Sequence, residues 1–390
     1  MGQYIKNPRA WAVFFLAGTL FLLTLWRFGA NQCLAIAVAI VLLTPSLRRA
    51  LLNRSYLVQP AFVAIYLLLV WALITVSYSQ APGVGQALSG VKSYAKLLLF
   101  LLIPLVVQGK KSRYALEEGL ILGVLINVVL SIFYFFHYFE RVLAPYISMG
   151  ATFTINPLQL IFVVVVALWL LATRFAEKRF AWHDGLIFVI LLGYLLFINL
   201  ERSGYLLFIA LLLVFSWQYG NKKWFLGVVC LLPILCVALY FASPIIHQRV
   251  NLGVSNVRAF TQVNKVTEIG TDNSLGLRLA FAVESFQEIK LHPLLGTGSG
   301  SFKTVYDQKY NLHTQSMKVQ DPHNAYTYAA FELGLIGLVL YLYCLYRLYP
   351  KDRCAEGIWW AFMLMGFLDS GLVLNAVALS FILLAASNGK

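Results

Sequence analysis

The chain has 390 residues, of which 60% are hydrophobic and 12% charged, with a net charge of +14. Soluble domains carry about 25% charged residues, so a soluble enzyme is excluded and the basic excess needs a source other than a nucleic-acid surface. The five cysteines, Cys33, Cys230, Cys236, Cys344 and Cys354, lie in or beside apolar runs, which leaves neither a disulfide framework nor a metal spacing.

Apolar runs long enough to cross about 30 Å of hydrocarbon recur along nearly the whole length. We place spans at 11–26, 31–47, 57–79, 93–108, 114–139, 153–172, 184–200, 203–219, 224–243, 323–349, 357–371 and 373–388. The last two form one apolar stretch that reads either as two helices or as one. A β-barrel would instead show alternating segments of about ten residues. The fold class is therefore an all-α polytopic membrane protein with about 12 transmembrane helices. Lys6 and Arg9 precede the first run and no A-x-A site follows, which predicts a retained first helix rather than a signal peptide.

Basic residues orient the spans. Alternate junctions hold Lys6 and Arg9; Arg48, Arg49 and Arg54; Lys110, Lys111 and Arg113; Arg174, Lys178 and Arg179; Lys222 and Lys223; Arg347, Lys351 and Arg353; and Lys390. These are 17 of the 30 Lys and Arg residues. Basic residues mark the cytoplasmic side, and twelve spans with both termini inside satisfy every junction. The charge thus reads as topology, aided by anionic headgroups, and the partners expected from it are membrane lipids, not nucleic acid. No internal repeat of the kind that builds two-half transporters is present.

The chain divides into transmembrane helices 1–9 over 1–243, one large non-cytoplasmic loop over 244–322, and helices 10–12 over 323–390. Within the loop, Leu275, Leu279, Ala282, Phe286 and Ile289 recur at helical spacing. They predict an amphipathic helix that lies on the membrane or caps the bundle. The passage Gly296-Thr297-Gly298-Ser299-Gly300 reads more readily as a turn closing the loop than as an anion nest, because no Gly-Lys-Ser/Thr follows.

Cations on the outward side call for a reason of their own. Arg202 stands in NLERSGYLL, in a short turn between two spans, and Arg278 borders the apolar face of the loop helix. A guanidinium binds phosphate oxygens through paired donors, so two of them above the bilayer suit a lipid-linked pyrophosphate. Pairing of Arg202 with Glu201 and snorkelling to headgroups are the structural alternatives. Lys92 and Lys96 share a helix face near the outer entry of the fourth span and either attract an anionic substrate or snorkel.

His323 lies in QDPHNAYTYAAFELGLIG, at the junction of loop and membrane. A neutral imidazole there can accept a proton from a hydroxyl near neutral pH, although a lone histidine is more often bonded to a backbone carbonyl. Asp321 either orients it or caps the helix. His137, His183, His247, His292 and His313 match no metal-ligand spacing. Glu332 and Asp369 fall inside apolar spans, where acids are costly and functional by default. For Glu332 a packing or hydrogen-bonding role is favoured over a proton relay. Asn127 and Asn375 are weaker polar positions of the same kind.

DPHNAYTYAAFELGLIGL resembles the signature of the O-antigen ligase family, in which a loop-end His-Asn pair opens a span followed by Glu-Leu-Gly-x-x-Gly. PLLGTGSGSF at 293–302 resembles a turn in that family's large periplasmic loop, and ERSGYLL resembles its short arginine turn. The resemblance covers roughly 200–345, while the region before residue 200 matches in hydropathy alone. These motifs are shared with O-antigen polymerases and protein O-oligosaccharyltransferases.

The resemblance implies a glycosyltransferase-C-like fold in a bacterial inner membrane with a periplasmic active site. It implies a glycan donor on undecaprenyl pyrophosphate, a lipid A–core sugar as acceptor, and no cofactor, nucleotide sugar or metal. Carried over, His323 matches the catalytic histidine, Arg202 and Arg278 match the arginines that hold the pyrophosphate, and Lys96 or Lys92 matches a further basic residue. Asn324 and Asp321 flank the histidine as secondary site residues. Three rival readings remain: a polymerase with a second lipid-linked glycan as acceptor, a protein O-glycosyltransferase acting on Ser or Thr, and a transporter or flippase. The last predicts polar residues at mid-bilayer in broken helices.

Overall fold

The computed structural model describes residues 7–136, 147–148, 152–153, 156–199, 201–242, 244–262, 274–310 and 321–387. His137 and His313 lie outside the described residues. Each expected span corresponds to a helix, from Pro8–Leu22 to Asn375–Ala386. By length and composition, six helices can cross a membrane: Val84–Val106, Lys110–Phe135, Pro157–Ala176, Arg202–Tyr219, Lys222–Ala242 and Ala325–Arg347. Arg27–Leu43 and Pro45–Leu51, bent by 87°, would make a seventh. Pro8–Leu22, Pro60–Val76, Trp182–Ile198 and Asn375–Ala386 are shorter apolar helices. The final apolar stretch is two helices, Arg353–Leu368 and Asn375–Ala386, with a break at 369–374. A two-residue antiparallel pair, Ile147–Ser148 with Thr152–Phe153, is also present.

Local chemistry explains several of these boundaries. Asn7 caps Pro8–Leu22 through the amides of Arg9 and Ala10, and Asn156 caps Pro157–Ala176 through the amide of Leu158. In both, proline fills a first-turn position whose missing N–H costs no bond. Gly119 and Gly123 let Lys110–Phe135 meet the first helix backbone to backbone. A Cβ at either would lie 2.4 Å from the Ala17 carbonyl oxygen or 2.2 Å from that of Phe21. Asn127 donates to the Thr24 carbonyl at 2.7 Å, so this polar position serves helix packing. Pro157–Ala176 is buried nearly all round and forms the bundle's centre. Lys222–Ala242 is the opposite case, with no buried residue in its apolar window.

Three of the basic residues that orient the chain also hold it together. Glu117, 1% exposed, lies 2.9 Å from Arg113, 3.2 Å from Arg179 and 3.7 Å from Arg174. Arg174 reaches Asp184 at 2.9 Å and Arg113 reaches Asp352 at 3.1 Å. A buried carboxylate is tolerated when it is paired in this way, and here it clasps four helical segments at one end of the bundle.

At the other end, Ser274–Leu291 and Phe302–Tyr310 dock on Ala325–Arg347. Phe281, Phe302, Val305, Tyr306, Tyr328 and Phe331 form a second core between them. The helix expected in the loop therefore exists and caps the bundle, but its buried face is not the expected one. Ala280, Phe281 and Ser285 are buried, whereas Ala282 and Phe286 are exposed. The reason is polar: Glu284 and Glu288 face inward to share Lys309 of the next helix, each at 3.0 Å. This turns Val283 and Phe286 outward.

Ala325–Arg347 is broken at Gly334, whose φ of 70° lies in the left-handed region. The break frees backbone groups that the 293–299 turn takes up. Thr297 and Gly298 donate to the carbonyls of Phe331 and Glu332, each at 2.9 Å, and Leu335 donates to the Pro293 carbonyl at 2.8 Å. The fit admits no side chain, since a Cβ on Gly296 would lie 2.5 Å from the Gly334 nitrogen. Trp71 adds a bond to the Leu333 carbonyl at 2.8 Å. The expected turn is thus a splice into a helix.

Candidate active site

The start of the kinked helix and the 369–374 break meet at His323. Its φ is 53°, a left-handed backbone that a non-glycine residue adopts at some cost in energy. The Asp321 side chain holds it there by accepting from the His323 amide at 3.0 Å. Asn324 then caps the helix by accepting from the amides of Tyr326 and Thr327 at 3.0 and 2.9 Å. Its amide also donates to the Phe367 carbonyl at 3.2 Å. Of the two roles open to Asp321, helix capping goes to Asn324, which positions the segment.

The imidazole is turned to a carboxylate, not to a backbone carbonyl. His323 Nδ1 lies 3.2 Å from Oδ2 and 3.3 Å from Oδ1 of Asp369, and 3.8 Å from Asp321 Oδ1. An ionised carboxylate only accepts, so in the neutral ring this pairing favours the hydrogen on Nδ1 and the lone pair on Nε2. With its side chain 40% exposed, the ring is open to a visiting hydroxyl. Ser370 ties the two acids together: its hydroxyl donates to Asp321 and its amide to Asp369, both at 2.6 Å.

Electrostatics follow from this geometry. Burial acts most strongly on His323 and lowers its pKa. The hydrogen bond and charge of Asp369, with the charge of Asp321, outweigh it and leave the value above the ordinary 6.5; Arg278 opposes them. Burial, then the Asp369 charge, raise the Asp321 carboxyl above its usual range, against the pull of His323 and Ser370. Asp321, His323 and Asp369 bring three potential ligand atoms within 4.8 Å of one another. That set could hold a divalent cation as well as an imidazolium.

The structure brings Arg278 to this centre. It lies three residues before Phe281, on the same helix face, and the Phe281 ring is 6.1 Å from that of His323. Arg202 opens the Arg202–Tyr219 helix after a turn shaped by Asn199, which bonds Glu201 through both backbone groups. Its guanidinium lies against Gly253, 3.0 Å from where a Cβ would stand. The Gly253 helix, Pro244–Gln262, packs on the helix that bears Arg278.

Lys96 points elsewhere. Its ammonium donates to the carbonyls of Leu372 and Val373 at 2.6 and 3.3 Å. It thereby steadies the break that bears Asp369 and neither meets an anion nor snorkels. Lys92 is exposed.

Glu332 stands apart from the imidazole. Its carboxylate accepts from the Phe302 amide at 3.4 Å and bonds the Gly300 amide and the Tyr328 hydroxyl. The acidic group received by the glycine-rich turn is thus the protein's own Glu332 side chain. Of the turn's other amides, that of Gly296 goes to the His292 carbonyl, those of Thr297 and Gly298 go to the helix break and that of Ser299 goes to Thr75 at 3.3 Å, which leaves no anion nest for a ligand. A broken helix with an inward acid is present, as a transporter would have, but both are filled by protein groups.

A family model described as O-antigen ligase matches residues 187–342. That stretch is an O-antigen ligase family domain. No curated protein matches the chain. The family domain contains Arg202, Arg278, His323 and the splice at Gly334, while Asp369 and Lys96 lie outside it. Six of the chain's described helices are long and apolar enough to cross a membrane, and residues 187–342 are similar to the O-antigen ligase family.

Asp369 is the residue that sequence reading did not connect to the histidine. The signal was there, since an acid in an apolar span needs a partner. Only the fold shows that the partner lies 46 residues back along the chain.

Proposed function

We propose that the protein is an O-antigen ligase that moves a glycan from undecaprenyl pyrophosphate to a sugar hydroxyl of lipid A–core. The reaction takes place at the periplasmic face of a bacterial inner membrane. The proposed plan has twelve spans, both termini inside, and the 244–322 segment outside. His323 Nε2 removes the proton of the acceptor hydroxyl as that oxygen attacks the anomeric carbon. The bond from that carbon to the diphosphate oxygen breaks with inversion. Arg278 and Arg202 neutralise the charge that grows on the leaving diphosphate. Asp369 fixes the tautomer and steadies the imidazolium as it forms.

The observation that carries this reading is a half-exposed histidine whose Nδ1 faces a carboxylate and whose titration feels the Arg278 charge. In this reading the two acids serve the imidazole, and transfer proceeds unchanged in a chelator. The base works in its neutral form, so transfer rises with pH through the His323 pKa, which lies above 6.5. Asp369→Asn removes the charge that does most to raise that pKa and leaves only the Asp321 charge to do so. The variant's acid limb is expected at lower pH than that of the wild type, with a reduced plateau, as measured by initial rate against pH.

Reconstitution in vesicles tests the function. Donor together with lipid A–core should yield glycosylated lipid A–core, and donor alone should yield nothing. Lengthened glycan from donor alone would make the protein a polymerase, and glycan on Ser or Thr of an added protein would make it a protein glycosyltransferase.

A further inference from the structure

The end of the bundle opposite His323 holds a cavity of about 380 Å³. It lies where the Ala325–Arg347 and Asn375–Ala386 helices finish. Phe62, Phe100, Leu348 and Ala385 supply apolar wall, and Arg347 and Lys351 stand on the same lining. Pro104 lies inside the wall helix and withholds the N–H that the Phe100 carbonyl would receive. Beside the proline, the Tyr56 hydroxyl crosses from the neighbouring segment to the Leu101 carbonyl at 2.7 Å. Pro104 and Tyr56 both lie on the cavity's lining.

Its charge is uncompensated from within. Arg347 and Lys351 are exposed and have no acidic partner among the described residues. The nearby acids are committed: Asp352 to Arg113 at 3.1 Å and to the amides of Cys354 and Ala355, and Glu356 to the Tyr349 hydroxyl. An apolar cleft with two free cations at its mouth, at the end of a membrane-spanning helix, is complementary to one class of molecule, an amphiphile with an anionic head.

We propose that this cavity binds an anionic glycerophospholipid, with the phosphate on Arg347 and Lys351 and an acyl chain along Phe62, Phe100 and Leu348. The site is separate from the His323 centre and does not depend on the reaction proposed there. The detergent-purified full chain, incubated with phosphatidylglycerol or phosphatidylcholine, tests it by native mass spectrometry of retained lipid. The wild type should retain phosphatidylglycerol in preference to phosphatidylcholine. The Arg347→Gln/Lys351→Gln variant should bind phosphatidylglycerol about 30-fold more weakly, the weight of two basic residues at an anionic membrane surface. Both side chains are exposed, and an unchanged melting temperature in lipid-free detergent confirms that the variant folds. Equal retention of both lipids by the wild type, or equal phosphatidylglycerol retention by wild type and variant, overturns the proposal. Displacement of the lipid by millimolar inorganic phosphate alone also overturns it, because the site would then read phosphate without the chain.

Discussion

His323→Ala should abolish glycan transfer, lowering the rate by about 10²–10⁴-fold, the contribution of a positioned general base, while donor binding stays near the wild-type level. The expectation rests on position. The imidazole is set by a left-handed backbone, an Asp321 bond to its amide and an Asp369 bond to its ring. No other described histidine shares that frame: His247 stacks on Tyr240 at 4.5 Å, His183 lies beside Trp182, and His292 is exposed just after the Ser274–Leu291 helix. Alanine keeps the backbone amide that Asp321 holds, so the loss is confined to the ring. Transfer by the alanine variant at the wild-type rate, measured as product on lipid A–core per minute, would reject His323 as the base.

Arg278→Ala and Arg202→Ala should each lower transfer by about 10²–10³-fold, the usual weight of one preorganised group facing charge that grows in a transition state. The two variants should differ in their pH dependence. The Arg278 charge lowers the pKa of His323. Its removal raises that pKa, and the acid limb of the rate profile moves to higher pH. Arg202→Ala should shift the limb less, because Arg202 stands on a different helix with its guanidinium against Gly253. Initial rates across pH 5 to 9 separate the two cases. Normal rates for both variants would remove the diphosphate from these arginines.

Much of this was legible in the sequence, for physical reasons. Long apolar runs must become helices in hydrocarbon because no water is there to satisfy a free backbone. Every expected span accordingly has its helix, and the 369–374 break settles the final stretch as two. Position raised His323 as a candidate, and its expected role as the catalytic histidine came from the resemblance of DPHNAYTYAAFELGLIGL to the O-antigen ligase family. What stayed hidden depends on partners distant in the chain. The buried face of the Ser274–Leu291 helix was set by Lys309, not by its own apolar periodicity. Lys96 read as an outward cation, yet it bonds carbonyls of the 369–374 break, 276 residues on. The glycine-rich turn showed its local geometry but not that its amides would meet a broken helix and Glu332.

The splice at Gly334 has a mechanical consequence. The outer part of the broken helix shares backbone bonds with the 293–299 turn, which is pinned in turn to Tyr78 and Ser79 at 2.8 and 2.6 Å. None of the three can tilt without dragging the others. The imidazole just before the broken helix is therefore mounted on a lever anchored at the turn and, through it, at Tyr78 and Ser79. Whatever bends to admit a bulky glycan must flex at some other joint.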